Sequence, residues 1–460
     1  NAEQPHMRRT QSRESMSQRL SRVREAAKQR KKERFTALFH LLTAEALENA
    51  FLSLSRKAAA GVDGVRWKDY AENLKVNIAD LHRRLHQGSY RAQPGRRHYI
   101  PKADGKQRPL GIASLEDKIV QYALVKILNA VYENDFMGFS YGFRPGRSQH
   151  NALDALATGL GRTNVNWVLD ADISQFFDKV SHEWLIRFIE HRIGDQRVIR
   201  LIRKWLTAGT SEEGEWRASE EGTPQGAVIS PLLANIYLHY VFDLWAHQWR
   251  RRHATGNVVM VRYADDIVIG FDKRIDAQCF RIAMQRRLKE FGLTVHPKKT
   301  RLMEFGRFAA ENRASRGKGK PETFNFLGFT HISGKDRSGR FMLIRKTRRD
   351  RMTATLKAIK DGLRKRWHYS IPEQGKWLRR VVQGYLNYHS VPGNYPMMRK
   401  FRIYVTDLWR RALRRRSQQD DTTWTKANRL AAVWLPKVRV LHPWPVERFT
   451  ARHPRQEPGA

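Results

Sequence analysis

Two adjacent aspartates, Asp265 and Asp266, lie between two runs of apolar and β-branched residues in the segment 257–271. Such runs on both sides of a short polar break predict two strands joined by a tight turn that carries both carboxylates. Two like charges side by side raise each other's pKa, so a positive partner is expected at this turn. Mg²⁺ prefers carboxylate oxygens, which makes the pair a candidate metal site. Asp-Asp pairs are also common in solvated turns, so the pair needs support from other motifs.

A second predicted strand carries acids far earlier in the chain. Residues 164–173 are mostly apolar and indicate a buried strand that delivers Asp170 and Asp172. Only a sheet that pairs this strand with the Asp265 hairpin can bring the two sets of carboxylates together. Asp178, which follows soon after, has a simpler alternative role as the cap of the next turn.

The charge of the chain indicates its partner. The formal net charge of the 460 residues is +41 at pH 7, and a chain this basic repels itself unless a polyanion neutralises it. Nucleic acid is the usual polyanion, and a membrane surface is the rival. No apolar run is long enough to span a bilayer, and the polar, Arg-rich N-terminus does not match a secretory signal. We therefore expect a cytoplasmic protein that binds nucleic acid and no membrane.

The single cysteine, Cys279, excludes an internal disulfide and a cysteine-rich zinc site. We expect it to be a small buried hydrophobe. Residues 1–34 are polar and basic, and a solvated arm and an RNA-contacting arm fit them equally well.

Two further segments present groups that suit a nucleotide. Residues 97–112 predict a β-hairpin with an Asp-Gly turn, and Lys102 and Arg108 lie near its tip. Two cations on a projecting hairpin suit a triphosphate, although ordinary surface charge is the simpler explanation from these residues alone. Residues 221–231 form a glycine-bounded loop that contains Gln225 and leads into a long apolar helix.

The region after residue 335 predicts a small helical bundle. Apolar residues recur at helical spacing in three segments, near residues 352–367, 377–388 and 398–408, and prolines separate the segments. The polar faces are rich in Arg and Lys. A cationic wall of this kind suits a nucleic-acid duplex.

Seven motifs in a fixed order carry a resemblance to a known family. Over about residues 50–450 the chain resembles reverse transcriptases of the group II intron maturase family. The motifs are Arg108-Pro-Leu-Gly-Ile112, Phe143-Arg-Pro-Gly-Arg-Ser148, Asp172-Ile-Ser-Gln-Phe-Phe-Asp178, Gly222-Thr-Pro-Gln-Gly226, Tyr263-Ala-Asp-Asp266, Pro297-Lys-Lys-Thr300 and Phe326-Leu-Gly-Phe329.

The resemblance implies an α+β fold of the right-hand polymerase type. Fingers and a palm with an antiparallel sheet are expected over residues 61–335, and an α-helical thumb, the maturase domain X, over 336–416. Residues 1–60 would form a basic extension and the start of the fingers. Residues 417–460 would be a short segment that binds nucleic acid. Because the chain stops at Ala460 and has one cysteine, we expect no cysteine-containing His-Asn-His endonuclease domain.

The resemblance also implies an RNA-directed DNA polymerase. Asp172 and Asp265 would hold two Mg²⁺ ions, with Asp266 in a supporting role and the carbonyl of Ile173 as a further ligand. One ion lowers the pKa of the primer 3′-hydroxyl, and the other neutralises the triphosphate and the leaving pyrophosphate.

Other matched positions would bind the incoming deoxynucleotide. Phe177 corresponds to the steric gate against a ribose 2′-hydroxyl, and Gln225 to a residue that lines the nucleotide pocket. Lys102 and Arg108 correspond to cations that grip the triphosphate. Lys299 corresponds to the lysine that protonates pyrophosphate, with Lys298 as the alternative.

The expected partners are group II intron RNA, an RNA template with its DNA primer, a DNA target site and dNTPs, in a nucleoid-associated ribonucleoprotein. Without an endonuclease, priming would need a nick or a strand that the protein did not make itself. The residues expected to contact RNA on the thumb are Arg345, Lys346, Arg348, Arg349, Arg364, Lys365 and Arg366.

Two alternatives stay open at this point. One is a non-catalytic maturase that keeps the fold as a splicing cofactor, although the intact Asp172, Asp265, Asp266 and Gln225 favour an enzyme. The other is a domesticated reverse transcriptase that works in repair or phage defence without an intron.

Overall fold

The structure, a computed structural model, describes residues 15–101, 107–336, 338–416 and 422–452. Lys102 and the Asp-Gly turn of the first predicted hairpin lie outside these ranges. So do residues 1–14 of the basic N-terminal segment.

Helices and strands alternate irregularly along the chain. The helices are α1 (Met16–Gln29), α2 (Ala44–Ser53), α3 (Trp67–Glu72), α4 (Leu74–Gln87), α5 (Leu115–Tyr132), α6 (Gln149–Arg162), α7 (His182–Glu190), α8 (Gln196–Thr207), α9 (Ser230–Leu238), α10 (Leu244–Arg252), α11 (Arg274–Glu290), α12 (Ala309–Ala314), α13 (Arg349–Arg364), α14 (Ile371–His389), α15 (Tyr395–Arg414), α16 (Trp424–Trp434) and α17 (Pro445–Arg452). Short 3₁₀ turns cover Phe39–Leu41 and Phe176–Asp178, and a π-helical turn covers His239–Asp243.

The strands form three separate sheets. They are β1 (Gly95–Pro101), β2 (Gln107–Ile112), β3 (Trp167–Asp172), β4 (Thr210–Glu212), β5 (Glu215–Arg217), β6 (Val258–Tyr263), β7 (Asp266–Phe271), β8 (Arg301–Glu304), β9 (Phe324–Phe326), β10 (Phe329–Lys335) and β11 (Phe341–Thr347). All neighbouring pairs are antiparallel except β1 and β4. The expected mixture of helices with antiparallel sheets is therefore confirmed.

The chain divides into two compact units. Of the described residues, the first contains 15–101, 107–146, 173–248 and 283–295, and its sheet has the order β2-β1-β4-β5. β1 and β2 form the predicted hairpin, with Arg96 opposite Ile112 and Pro101 opposite Gln107. Helix α5 begins after Ser114, which caps its first turn by accepting a hydrogen bond from the amide of Asp117.

Of the described residues, the second unit contains 147–172, 249–282, 296–336, 338–416 and 422–452, and its larger sheet has the order β6-β7-β3-β8. β6 and β7 are buried along nearly their whole length, which is typical of strands covered on both faces. Helix α6 packs on β6, and it approaches so closely at Gly159 that an added Cβ would lie 2.5 Å from a methyl of Val259.

The smaller sheet of the second unit has the order β11-β10-β9. The sequence predicts one aromatic strand over residues 324–329, but the structure has two strands there. Leu327 and Gly328 both have positive φ, 45° and 80°, and make the tight turn between β9 and β10. Positive φ at both central residues is the signature of a type I′ hairpin.

Helices α13, α14 and α15 form the predicted bundle, together with α16. Its core includes Met352 and Ile359 of α13, Leu378 and Val382 of α14, and Phe401 of α15. On α14, Leu378, Val382 and Tyr385 are buried in this core, whereas Trp377 and Val381 are only partly buried. Helix α17 packs against α6.

Two smaller expectations concern Cys279 and membrane spans. Cys279 is exposed on α11, so the expectation that it is buried is wrong. In the ranges that the structure covers, no helix has the length and apolarity that a membrane span requires.

Candidate active site

The central feature of the larger sheet is the meeting of the two acidic segments. β3 and β7 are neighbours, and their register places Asp172 directly opposite Asp266. Asp265 precedes Asp266 in the turn after β6. The strand pairing that the separated acids require is therefore present.

The acids in this cluster interact unfavourably with one another. Burial, followed by the charges of Asp265, Asp172 and Asp170, raises the pKa of Asp266 to about 7. Burial likewise raises the pKa of Asp170 to about 6, against the opposing effect of Arg301. A cluster of this kind needs a positive partner.

One positive partner is Lys299. Its Nζ donates a hydrogen bond to Oδ2 of Asp172 at 2.8 Å, and this bond is the main cause of the raised pKa of Lys299. The segment before it is fixed to the end of β3, because the amide of His296 donates to the carbonyl oxygen of Asp172 at 2.7 Å. The other candidate, Lys298, is exposed.

The donor set suits a hard divalent cation. Asp172, Asp265 and Asp266 offer carboxylate oxygens, and Ile173, which follows Asp172, offers a backbone carbonyl. Within the described ranges, no three His, Cys, Asp or Glu side chains are arranged to hold a metal ion by themselves. Mg²⁺ is commonly held by one or two carboxylates together with substrate phosphates, so an incomplete protein cage fits its chemistry.

A buried arginine, Arg262, supports the turn that carries Asp265. Its side chain is fully buried, and its Nη1 donates to the carbonyl oxygen of Ala264 at 3.0 Å. Ala264 has a φ of 55°, which is unfavourable for a residue with a Cβ. Arg262 is not among the site residues predicted from the sequence, although its place directly before Tyr263 in a buried strand was a usable signal.

In the first unit, Phe177 and Gln225 lie on two segments that are hydrogen-bonded to each other. The amide of Thr223 donates to the carbonyl oxygen of Phe177 at 2.7 Å, and Nε2 of Gln225 donates to Oδ1 of Asp178 at 2.6 Å. Gly222 has a φ of 85°, and an added Cβ would lie 2.9 Å from the carbonyl oxygen of Phe177. Glycine is therefore required for this close approach.

The expected triphosphate cations are placed only in part. Arg108 is exposed on β2, opposite Ile100 of β1. Lys102 lies outside the described residues.

The expected RNA contact at Arg345 is wrong. The side chain of Arg345 is 2% exposed, and its Nη1 pairs with Oδ1 of Asp154 at 3.3 Å. Arg448 of α17 pairs with the same carboxylate. An arginine enclosed in a buried ion pair has no surface to offer to RNA.

The remaining cations predicted to contact RNA differ in their contacts and their exposure. Arg348 pairs with Asp350 at 2.7 Å, and Arg366 stacks over the ring of Trp377 at 4.4 Å. The exposed ones are Lys346, Arg349, Arg364 and Lys365.

Comparison with known proteins identifies the class. The family model described as "Reverse transcriptase (RNA-dependent DNA polymerase)" matches residues 100–331, which is half of the chain. The chain therefore belongs to the reverse transcriptase family.

The similar curated proteins narrow the class to its group II intron members. Group II intron-encoded protein LtrA of Lactococcus lactis subsp. cremoris is 38% identical over 223 residues, which are 48% of this chain and 37% of that protein. Protein YkfC of Escherichia coli K12 is 44% identical over 206 residues, 44% of this chain and 54% of that protein. The putative COX1/OXI3 intron 1 protein of Saccharomyces cerevisiae is 26% identical over 393 residues, 71% of this chain and 46% of that protein.

The chain thus spans about half or less of the length of these relatives. The resemblance to group II intron reverse transcriptases and maturases that the seven motifs indicate is confirmed.

Proposed function

We propose that this protein is an RNA-directed DNA polymerase that also binds a group II intron RNA and assists its splicing and mobility by target-primed reverse transcription. The observation that carries the proposal is the pairing of β3 with β7, which brings Asp172 and the Asp265-Asp266 turn to one end of a sheet. Membership of the reverse transcriptase family supports the same activity. The retained acids disfavour the alternative of a non-catalytic splicing cofactor.

The proposed architecture is that of a right hand. Residues 61–335 form the fingers and palm, residues 336–416 form the thumb, and residues 417–460 are a short segment that binds nucleic acid. The antiparallel sheet around β3 supports the palm assignment, and the bundle of α13, α14 and α15 supports the thumb assignment.

Asp172 and Asp265 would hold two Mg²⁺ ions, with Asp266 and the carbonyl of Ile173 beside them. When bound, the ions activate the primer 3′-hydroxyl and neutralise the charge on the triphosphate and leaving pyrophosphate. Burial and the neighbouring acids raise the pKa of Asp266, and this supports the assignment because a divalent cation removes the repulsion among the acids.

The protein's own side chains would position the nucleotide. Phe177 excludes a ribose 2′-hydroxyl, Gln225 lines the pocket, and Arg108 with Lys102 grips the triphosphate. Lys299 would protonate the leaving pyrophosphate, since its raised pKa keeps it charged. Lys299 also compensates the charge of Asp172 in the free protein.

The RNA partner would lie on the basic surface of the bundle, defined as Lys346, Arg348, Arg349, Arg364, Lys365 and Arg366. A cavity of about 110 Å³ beside it is lined by Lys360, Arg364, Trp367, Arg411 and Arg415, among others. This adds cations to the same surface. Intron RNA, a primed RNA template, a DNA target site and dNTPs are the proposed partners, in a cytoplasmic ribonucleoprotein of the nucleoid.

Primer extension on poly(rA)/oligo(dT) with Mg²⁺ tests the proposal. We expect extension by the wild type and its loss in Asp265→Ala, because a carboxylate that holds the cation is missing. Glu311→Gln is the matched control, since Glu311 is an exposed acid of the same unit paired with Lys335. No extension by the wild type, with RNA binding retained, would establish the splicing cofactor instead.

A further inference from the structure

Gln225 is held at two points by two other segments of the first unit. Its carbonyl oxygen accepts a hydrogen bond from the amide of Gly111 in β2 at 2.6 Å. Its side-chain Nε2 donates to Asp178 at 2.6 Å. The next residue, Gly226, approaches β2 so closely that an added Cβ would lie 3.0 Å from the carbonyl oxygen of Gly111. The backbone of Gln225 is thus fixed to one segment and its amide to another.

The bond to Asp178 fixes which way the Gln225 amide points. An ionised carboxylate only accepts hydrogen bonds, so it pairs with the NH₂ end of the amide and repels the oxygen end. The two ends of a glutamine amide are otherwise nearly equal in shape. A charge-assisted bond of 2.6 Å therefore selects one orientation and leaves Oε1 and the second N–H for another partner.

Asp178 is not explained by capping. The helix that follows, α7, is capped by Ser181, whose hydroxyl accepts from the amide of Trp184. The amide of Asp178 donates within its own 3₁₀ turn, to the carbonyl oxygen of Gln175 at 2.9 Å. Its carboxylate is directed to Gln225, on a loop that is distant in the chain.

We propose that Asp178 is a positioning residue for nucleotide selection, which acts by fixing the orientation of the Gln225 amide for the incoming deoxynucleotide. This role rests on the proposed function, because it takes Gln225 to line the nucleotide pocket. Asp178 itself makes no contact with the substrate. Its loss allows the amide to rotate, so the pocket has to order the amide each time a nucleotide binds.

The first experiment measures KM and kcat for dTTP in primer extension by Asp178→Ala, Gln225→Ala and the double variant. Loss of a hydrogen bond to a charged group weakens binding by about tenfold, so we expect KM to rise about tenfold in Asp178→Ala while kcat changes little. The double variant should equal Gln225→Ala alone, because Asp178 acts through Gln225. The proposal would be overturned if the increases in KM of the two single variants multiply in the double variant. It would also be overturned by an unchanged KM in Asp178→Ala.

Two variants separate positioning from folding. Asp178→Asn keeps the size and can accept one hydrogen bond, but it no longer selects an orientation, so we expect a rise in KM smaller than that of Asp178→Ala. Lys179→Ala removes the adjacent exposed ion pair between Lys179 and Glu221 and leaves Gln225 untouched. It should keep the wild-type KM. If KM rises as much in Lys179→Ala as in Asp178→Ala, the turn as a whole, and not the orientation of the Gln225 amide, is responsible.

A binding measurement makes the outcome independent of catalysis. The Kd of dTTP is measured with Mg²⁺ on poly(rA) primed by an oligo(dT) with a dideoxy end, which prevents chemistry. We expect the Kd of dTTP to rise in Asp178→Ala by the same factor as KM. If the wild type extends the primer and the Kd is unchanged in Asp178→Ala, the inference about Asp178 is wrong and the proposed function stands. No extension by the wild type would contradict the proposed function. The Kd of dTTP for Asp178→Ala, compared with that of the wild type, then still decides whether Asp178 positions Gln225.

Discussion

At the scale of single residues, exposure distinguishes the cations that can contact a substrate from those that stabilise the fold. Arg345 and Lys346 are neighbours in β11, yet one is enclosed with Asp154 and the other is exposed. Successive side chains of a strand point to opposite faces, so a run of basic letters divides between interior and surface. The sequence shows the run but does not show that Asp154, in α6, is the buried partner.

Phe177 gives a prediction at this scale. We expect Phe177→Ala to relax the discrimination against ribonucleotides, because the ring that would meet the 2′-hydroxyl is gone. The measurement is the ratio of kcat/KM for dTTP to that for UTP in primer extension. Phe308→Ala, which alters an exposed phenylalanine in the other unit, is the control and should keep the wild-type ratio. Unchanged selectivity in Phe177→Ala would show that the gate is another residue.

At the scale of elements, the buried strands and the amphipathic helices were predictable and the small sheet was not. β3, β6 and β7 have continuous apolar runs, and α13 to α15 repeat apolar residues at helical spacing, so local pattern suffices. β10 and β11 mix Thr, His, Ser, Lys and Arg with their apolar residues, so no local pattern marks them as strands. The same holds for the bond between Asp178 and Gln225, which no local pattern contains.

His331 in β10 gives a pH prediction at this scale. Its ring is fully buried, stacks on Phe324 at 4.8 Å, and has a pKa lowered from 6.5 to about 3, mainly by burial and then by the charge of Arg345. The unfolded chain therefore binds more protons between pH 6.5 and 3, so stability is full above pH 6.5 and falls as the pH drops. The free energy lost is about 1.4 kcal/mol per pH unit below 6.5.

The variant His331→Phe tests this contribution. It keeps an aromatic ring against Phe324 and removes the titrating group, so its Tm should fall less between pH 7 and pH 5 than that of the wild type. His150 and His389 also have lowered pKa values because of burial, so part of the acid sensitivity remains. Equal falls in Tm for the two proteins would contradict the assignment.

At the scale of the whole molecule, the charge of +41 predicts that RNA binding depends strongly on the salt concentration. Each cation that neutralises a phosphate releases counterions, so affinity falls steeply with salt concentration. Arg364 and Lys365 are exposed at the end of α13, which makes them accessible to RNA.

The double variant Arg364→Gln/Lys365→Gln should bind a folded group II intron RNA more weakly and with a flatter salt dependence. The slope of log K against log salt should fall by about 1 to 2 for two lost phosphate contacts. Filter binding from low to moderate KCl measures it. Lys335→Gln, which removes an exposed cation paired with Glu311, is the control. An unaltered slope in the double variant would place the RNA on another surface.

The shared ion pairs of Asp154 have a consequence for the order of events during synthesis. Its carboxylate is 1% exposed and needs two arginines, Arg345 from β11 and Arg448 from α17, which leave the ribosome long after α6. A buried carboxylate that lacks a cation is strongly destabilising. The two ion pairs of Asp154 therefore cannot both form until translation has passed Arg448, so this buried charge cluster of α6 is complete only when nearly all of the described chain has been made.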